Sequence, residues 1–215
     1  MQQLETALSS LLGQDEPISL LVQILSKAAE EGSVSYGEIQ GIAAGDCREL
    51  LLLSNSWRLL VPWNRESRTI DWEDGILLFE QDEVYRVPNV VRHLVERARE
   101  TGEWDVAYAV SQVFKEMGDP DYDRMPSLVE LIGEQARGRR VDAFQIKQAC
   151  DQVGLGERVD PLIAELKASG VMSPKLSCLS EALALGCPIY ELNPCLFVER
   201  SSIGSNSTPV SLPAG

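Results

Sequence analysis

The sequence predicts a mainly α-helical, α+β chain in which one order of helices and short strands occurs twice. Three observations carry that expectation. Apolar residues recur at helical spacing through most of the chain. Short β-prone runs follow the third helix of each set, and the stretch Gly32 to Ile39 is mirrored by Gly138 to Ile146 about a hundred residues later. With 215 residues and 44% hydrophobic content, the chain suits one large domain or two small ones. Its net charge of -14 repels phosphate backbones and anionic headgroups, which excludes a basic-tail mechanism.

Leu4, Leu8, Leu11 and Leu12 lie on one side of a short helix that Gly13 ends, and this helix needs a surface to lie on. Asp15 and Pro17 signal the start of a second helix, with Ile18, Leu21, Val22, Leu25 and Ala29 at helical spacing up to Gly32. A brief extended piece follows, and Ser35 with Glu38 forms a capping box that opens the next helix. Asp46 and Glu49 repeat the device for a helix running through Trp57. The runs Leu59 to Trp63, Ile76 to Phe79 and Val84 to Val87, separated by polar stretches such as Glu73-Asp74-Gly75, read as an antiparallel ribbon.

The second set opens with Ser127 and Glu130 as a capping box ahead of Leu128, Leu131 and Ile132. Val141 then falls on Val34, Asp142 on Ser35, Gln145 on Glu38 and Ile146 on Ile39. A third helix carries Val159, Leu162, Ile163 and Leu166; Ser169 to Pro174 matches Trp57 to Pro62, and Ile189 to Leu192 echoes Val84 to Val87. Between the sets, Val90, Val91, Leu94, Val95 and Ala98 precede Gly102, and Val106, Ala109, Val110, Val113 and Phe114 follow it, which predicts a helical connector. Gly118-Asp119-Pro120 breaks that connector. The Ser-, Gly- and Pro-containing end is expected to be disordered.

In this element order, residues 17–87 resemble the winged helix-turn-helix superfamily, and residues 125–198 form a second copy. The resulting division is an N-terminal helix over 1–16, module 1 over 17–87, a helical connector with acidic linker over 88–124, module 2 over 125–198, and a tail over 199–215. Acidic tandem winged-helix chains of this size resemble, in architecture only, accessory subunits of bacterial chromosome-condensation complexes such as segregation and condensation protein B. That resemblance implies a non-enzymatic adaptor or regulator gripping protein partners, with self-association as one form. The superfamily equally implies a DNA-binding transcriptional regulator as the alternative.

A winged helix reads DNA with its third helix, which must then present Lys and Arg to phosphates. The first such helix is expected to turn Leu50, Leu53 and Trp57 inward, leaving Arg48, Leu51, Leu52 and Asn55 outward as a candidate protein interface. The second turns Val159, Leu162, Ile163 and Leu166 inward and shows Glu157, Asp160, Pro161 and Ala164. Residues 64–86 around the first wing hold Arg65, Arg68 and Arg86 against seven acids. The exception is a basic cluster, Arg137, Arg139, Arg140 and Lys147, the candidate nucleic-acid contact of the alternative reading.

Catalytic and cofactor readings find little support. The single histidine, His93, sits in a helical run without a nucleophile motif. Cys178, Cys187 and Cys195 lack knuckle spacing for zinc. Asp119, Asp121, Asp123 and Glu130 have the spacing of a calcium loop, but Arg124 replaces its glycine and Pro126 interrupts it. No glycine-rich phosphate loop occurs. No catalytic residue, metal ligand or cofactor is therefore assigned. Five cysteines without a paired pattern or a signal peptide suggest reduced thiols in a cytoplasm, and apolar runs fall well short of the roughly 18 residues a membrane span requires.

Overall fold

A computed structural model describes residues 1–13, 17–63, 72 and 77–197. Among them the chain is mainly helical with two small antiparallel sheets. Helix α1 (Gln2–Leu12) buries Leu4, Leu8 and Leu11. Next come α2 (Ile18–Glu31), β1 (Ser33–Ser35), α3 (Tyr36–Ala43), α4 (Cys47–Ser56), β2 (Val61–Pro62) and β3 (Val84–Arg86). β3 returns between the other two strands, so Val34 stands opposite Tyr85 and Val61 opposite Arg86.

After α5 (Asn89–Thr101) and α6 (Val106–Glu116), the order is met again: α7 (Met125–Gln135), β4 (Arg140–Asp142), α8 (Ala143–Gln152), α9 (Val159–Ala168) and β5 (Met172–Pro174). Helix α10 (Leu179–Leu185) precedes the returning strand β6 (Ile189–Leu192), which again lies centrally and pairs Val141 with Tyr190. The first strand of each sheet ends at a capping box. Ser35 N–H donates to Glu38 Oε2 at 2.8 Å, and Glu38 N–H donates back to Ser35 Oγ at 3.3 Å. Asp142 and Gln145 make the same reciprocal pair at 2.9 Å each way. These bonds satisfy amides that the first helical turn leaves free.

Four expected starts and strands are corrected. α7 begins at Met125 with Pro126 in its first turn, so Ser127 lies inside the helix and does not cap it with Glu130. α4 is entered from a 3-10 turn, Ala44–Asp46, and Asp46 makes no side-chain cap. The amides of Leu59 and Leu60 both bond to the Ser54 carbonyl, at 2.8 and 3.4 Å, which holds them in a turn and delays β2 to Val61. Leu77 to Phe79 form no strand. The cap expected of Asp15, the wing charges Arg65 and Arg68, the Glu73-Asp74-Gly75 stretch and the 199–215 tail lie outside the described residues.

α5 and α6 are more than a spacer. α1 packs on α5, α5 on α6 and α6 on α7, so one continuous apolar core runs from Leu4 through Phe114 to Leu196. Polar contacts close the remaining seam between the two sets. Val90 N–H donates to the Ser169 carbonyl at 2.9 Å, and Trp104 Nε1–H donates to the Cys195 carbonyl at 2.9 Å. The fully buried Asn193 amide reaches the carbonyls of Gly170 at 3.1 Å and Arg58 at 3.4 Å. Buried polar groups need such partners, and here the partners come from both sets.

Candidate protein-interaction surface

The predicted patch on α4 does not form as expected. Cys47, Leu50, Leu51 and Ser54 make its buried stripe, with Leu51 only 1% exposed. Polar-looking residues hide the phase of this helix. Ser54 is buried because its hydroxyl donates to the Leu50 carbonyl at 2.7 Å, and Cys47 Sγ lies 3.2 Å from the Tyr36 hydroxyl. Leu53 and Trp57 are correspondingly half-buried. Leu52 is 53% exposed, Arg48 is exposed with its guanidinium 5.4 Å from the Phe79 ring centroid, and half-buried Asn55 accepts the Arg58 amide at 3.0 Å. Of the two leucines, one remains at the surface.

A larger apolar surface stands on the second set. α10 is a seven-residue helix between the last two strands, closed by Gly186 at φ 70°, and it buries none of its residues. Leu176, in the 3-10 turn that leads into it, and Leu179 and Leu183 are spaced three and four apart, and with Leu185 they are between 48% and 75% exposed. Phe144, in the first turn of α8, is 61% exposed. Its backbone lies next to the segment that leaves α10, since Asp142 pairs with Ile189 and Ala143 N–H donates to the Pro188 carbonyl at 3.1 Å.

The basic cluster borders that surface. Arg137 and Arg140 exchange backbone bonds of 2.9 and 3.2 Å across Gly138 and Arg139, whose φ values of 58° and 67° mark a tight type I′ turn. All three arginines are exposed. Arg140 Nη1 lies 3.3 Å from Cys178 Sγ and 3.4 Å from Glu181 Oε2, which fastens the turn to α10. Lys147 instead pairs with Asp151 one helical turn on, at 3.2 Å. The α9 face shows Glu157, Asp160, Pro161 and Ala164 exposed, as its spacing predicts.

Two charged clusters serve as internal ties. Asp119, with a fully buried side chain, accepts two bonds from Arg158 at 3.0 and 3.1 Å. Arg158 also reaches Asp121 and lies 3.6 Å from Glu165. Burial and the neighbouring Asp119 push the Glu165 carboxyl up to about 7. Asp119 is committed to this guanidinium. A cleft of about 620 Å³ beside the cluster presents Arg124, Lys147 and Arg158 together with Asp121, Asp151 and Glu157, so it favours neither charge. Buried His93 stands 3.1 Å from Glu116 and 3.3 Å from Glu96 and joins α5 to α6.

A protein-family model matches residues 6–201. The chain belongs to that family. The family's matched span takes in both sheets, α10 and the Arg137 to Arg140 turn, but brings no activity, substrate or partner with it. No curated protein and no solved structure matches the chain.

The α10 surface was missed in the sequence, where no helix was expected between Pro174 and Ile189. The signal was present in Leu176, Leu179 and Leu183, spaced three and four apart. No helix among the described residues is long and apolar enough to cross a membrane.

Proposed function

We propose that the chain is a non-enzymatic adaptor or regulatory protein, built from tandem winged-helix modules and acting through protein contacts. The observation that carries this reading is the exposed surface of Leu179, Leu183 and Leu185, on a helix that buries nothing of its own, with Leu176 in the turn before it. Covering a leucine is worth about 1.5–3 kcal/mol, so several together supply the driving force of a stable contact. The module assignment is supported by the repeated order of helix, strand, helix, helix and two further strands, with the last strand central in each sheet. It is supported also by the architectural resemblance to condensation-complex accessory subunits, which is a fold-level analogy. A cytoplasmic setting fits five buried, unpaired cysteines.

The DNA-binding alternative draws on the Arg137 to Arg140 turn, while the acidic outer face of α9 and the net charge of -14 work against it. Affinity capture from the source cell, with nuclease present, separates the two readings. The adaptor reading expects a defined set of proteins on wild-type bait that is lost from Leu179→Ser with Leu183→Ser bait. An unchanged set on the variant, or a set that nuclease abolishes, would overturn it.

A further inference from the structure

The α10 surface and the arginine turn beside it make two demands on whatever covers them. Leu176, Leu179 and Leu183 need aliphatic partners at helical spacing. Arg137 and Arg139 need anions, since neither forms an ion pair with a described residue, whereas Arg140 has Glu181. A nucleic acid answers the second demand and not the first, because its accessible surface is phosphate, sugar and polar base edge. A second copy of this chain, meeting the same patch about a two-fold axis, answers the first and not the second. Such a contact would gather the unpaired Arg137 and Arg139 of both copies around one leucine seam, with Glu181 already engaged by Arg140.

Resting on the adaptor reading and naming its partner's chemistry, we propose that α10 and the Arg137 to Arg140 turn form one docking site for an acidic amphipathic helix of another protein. Its apolar stripe lies on Leu176, Leu179, Leu183 and Phe144, and carboxylates along its edge meet Arg137 and Arg139. The acidity of the rest of the chain adds selectivity. With a net charge of -14, an acidic helix is repelled from the remaining surface and attracted only where the arginines are concentrated.

The probe is a pair of fluorescein-labelled synthetic helices of about 14 residues, or four turns, sharing one leucine stripe and carrying either Glu or Lys at every other position. Fluorescence anisotropy with the full chain should show saturable binding of the Glu helix at least about tenfold tighter than of the Lys helix. Leu179→Ser with Leu183→Ser should weaken the Glu helix by about tenfold or more. Arg137→Gln with Arg139→Asn should weaken it by about fivefold and flatten its salt dependence; Asn suits the positive φ at position 139. Circular dichroism melts of both variants establish that they are folded. Both positions are exposed and outside the core.

No saturable binding of the Glu helix, or equal binding of both helices, overturns the proposal. So does a concentration-dependent dimer in light scattering that the leucine variant abolishes, which would make a second copy the occupant. Binding of a duplex oligonucleotide that needs the arginines and not the leucines overturns it in favour of nucleic acid. If cellular capture depends on the leucines but not on the arginines, the acidic-helix chemistry fails while the adaptor reading stands. If capture ignores the leucines, the adaptor reading itself fails.

Discussion

Arg58 Nη2 lies 3.3 Å from Glu191 Oε2, an ion pair that joins the turn after α4 to the central strand of the second sheet. Each side chain is only 15% exposed, and Lys175 adds a second cation 3.1 Å from the same oxygen. Removing the carboxylate takes away the half-buried acceptor that Arg58 and Lys175 share. Glu191→Ala should therefore cost about 1–3 kcal/mol in urea denaturation. Glu181→Ala, which loses an exposed pair with Arg140, should cost less than about 1 kcal/mol. Equal losses in the two variants would remove the case that Arg58 and Glu191 hold the sets together.

Gly170 sits at the same seam with φ 82°, and an added Cβ would stand 2.5 Å from Cβ of Pro88. Gly186, at φ 70°, has open space around it. Alanine at either position incurs the left-handed strain of about 1 kcal/mol, but only at Gly170 does it also meet another side chain. Thermal melts should place Gly170→Ala well below Gly186→Ala, by about 1–3 kcal/mol of further destabilisation. Similar midpoints would show that the seam around Pro88 yields freely.

Leu51 and Leu52 are chain neighbours with opposite surroundings, 1% and 53% exposed. Leu51→Ala should lose about 2–5 kcal/mol, as buried leucines do, while Leu52→Ala should stay within about 0.5 kcal/mol. The comparison is made by equilibrium urea unfolding. Its reversal would restore Leu51 to the interface that the sequence suggests.

Glu165 provides a pH dependence. Its carboxyl is raised from an ordinary 4.5 to about 7, first by burial and then by Asp119, with Arg158 opposing. Burial also pushes Asp119 upward, but hydrogen bonds from Arg158, the Asp121 amide and Glu165, with the Arg158 charge, together hold that carboxyl low. The folded chain consequently binds an extra proton at Glu165 between its ordinary value and about 7. Its stabilising contribution is full below the ordinary value and is lost as pH rises through about 7. Glu38, lowered to about 2 chiefly by hydrogen bonds from Ser35, has the opposite sign, but its window lies below its ordinary 4.5. From about pH 5 to pH 8, wild-type should lose stability relative to Glu165→Gln by on the order of 1–3 kcal/mol. Parallel stability profiles across that range would show that Glu165 ionises as freely in the folded chain as in the unfolded one.

Much of the fold was legible from residues close in sequence. A capping box is a reciprocal bond across three residues, so Ser35 with Glu38 and Asp142 with Gln145 could be recognised without knowing what lies around them. The alignment of Val34 with Val141 and of Ile39 with Ile146 likewise predicted the inward positions of both sets, and all four are buried. Ser127 failed as a cap because Pro126 can occupy a first helical turn, which moved the start of α7 upstream. Half of the candidate site was also legible, since the arginines at 137, 139 and 140 stand together in the chain. The leucine half was not.

By itself the sequence determined which segments coil, where most of them start, and that the set of elements is repeated, because periodicity and capping act over one or two turns of chain. Only the tertiary structure decided which apolar stripes are covered. α4 and α10 both carry several leucines, but α4 turns Leu50 and Leu51 into the shared core and α10 buries none of its residues. A helical stripe states that apolar surface exists. Whether another part of the same chain removes it from water depends on contacts between residues far apart in sequence, and that geometry left Leu179 and Leu183 exposed.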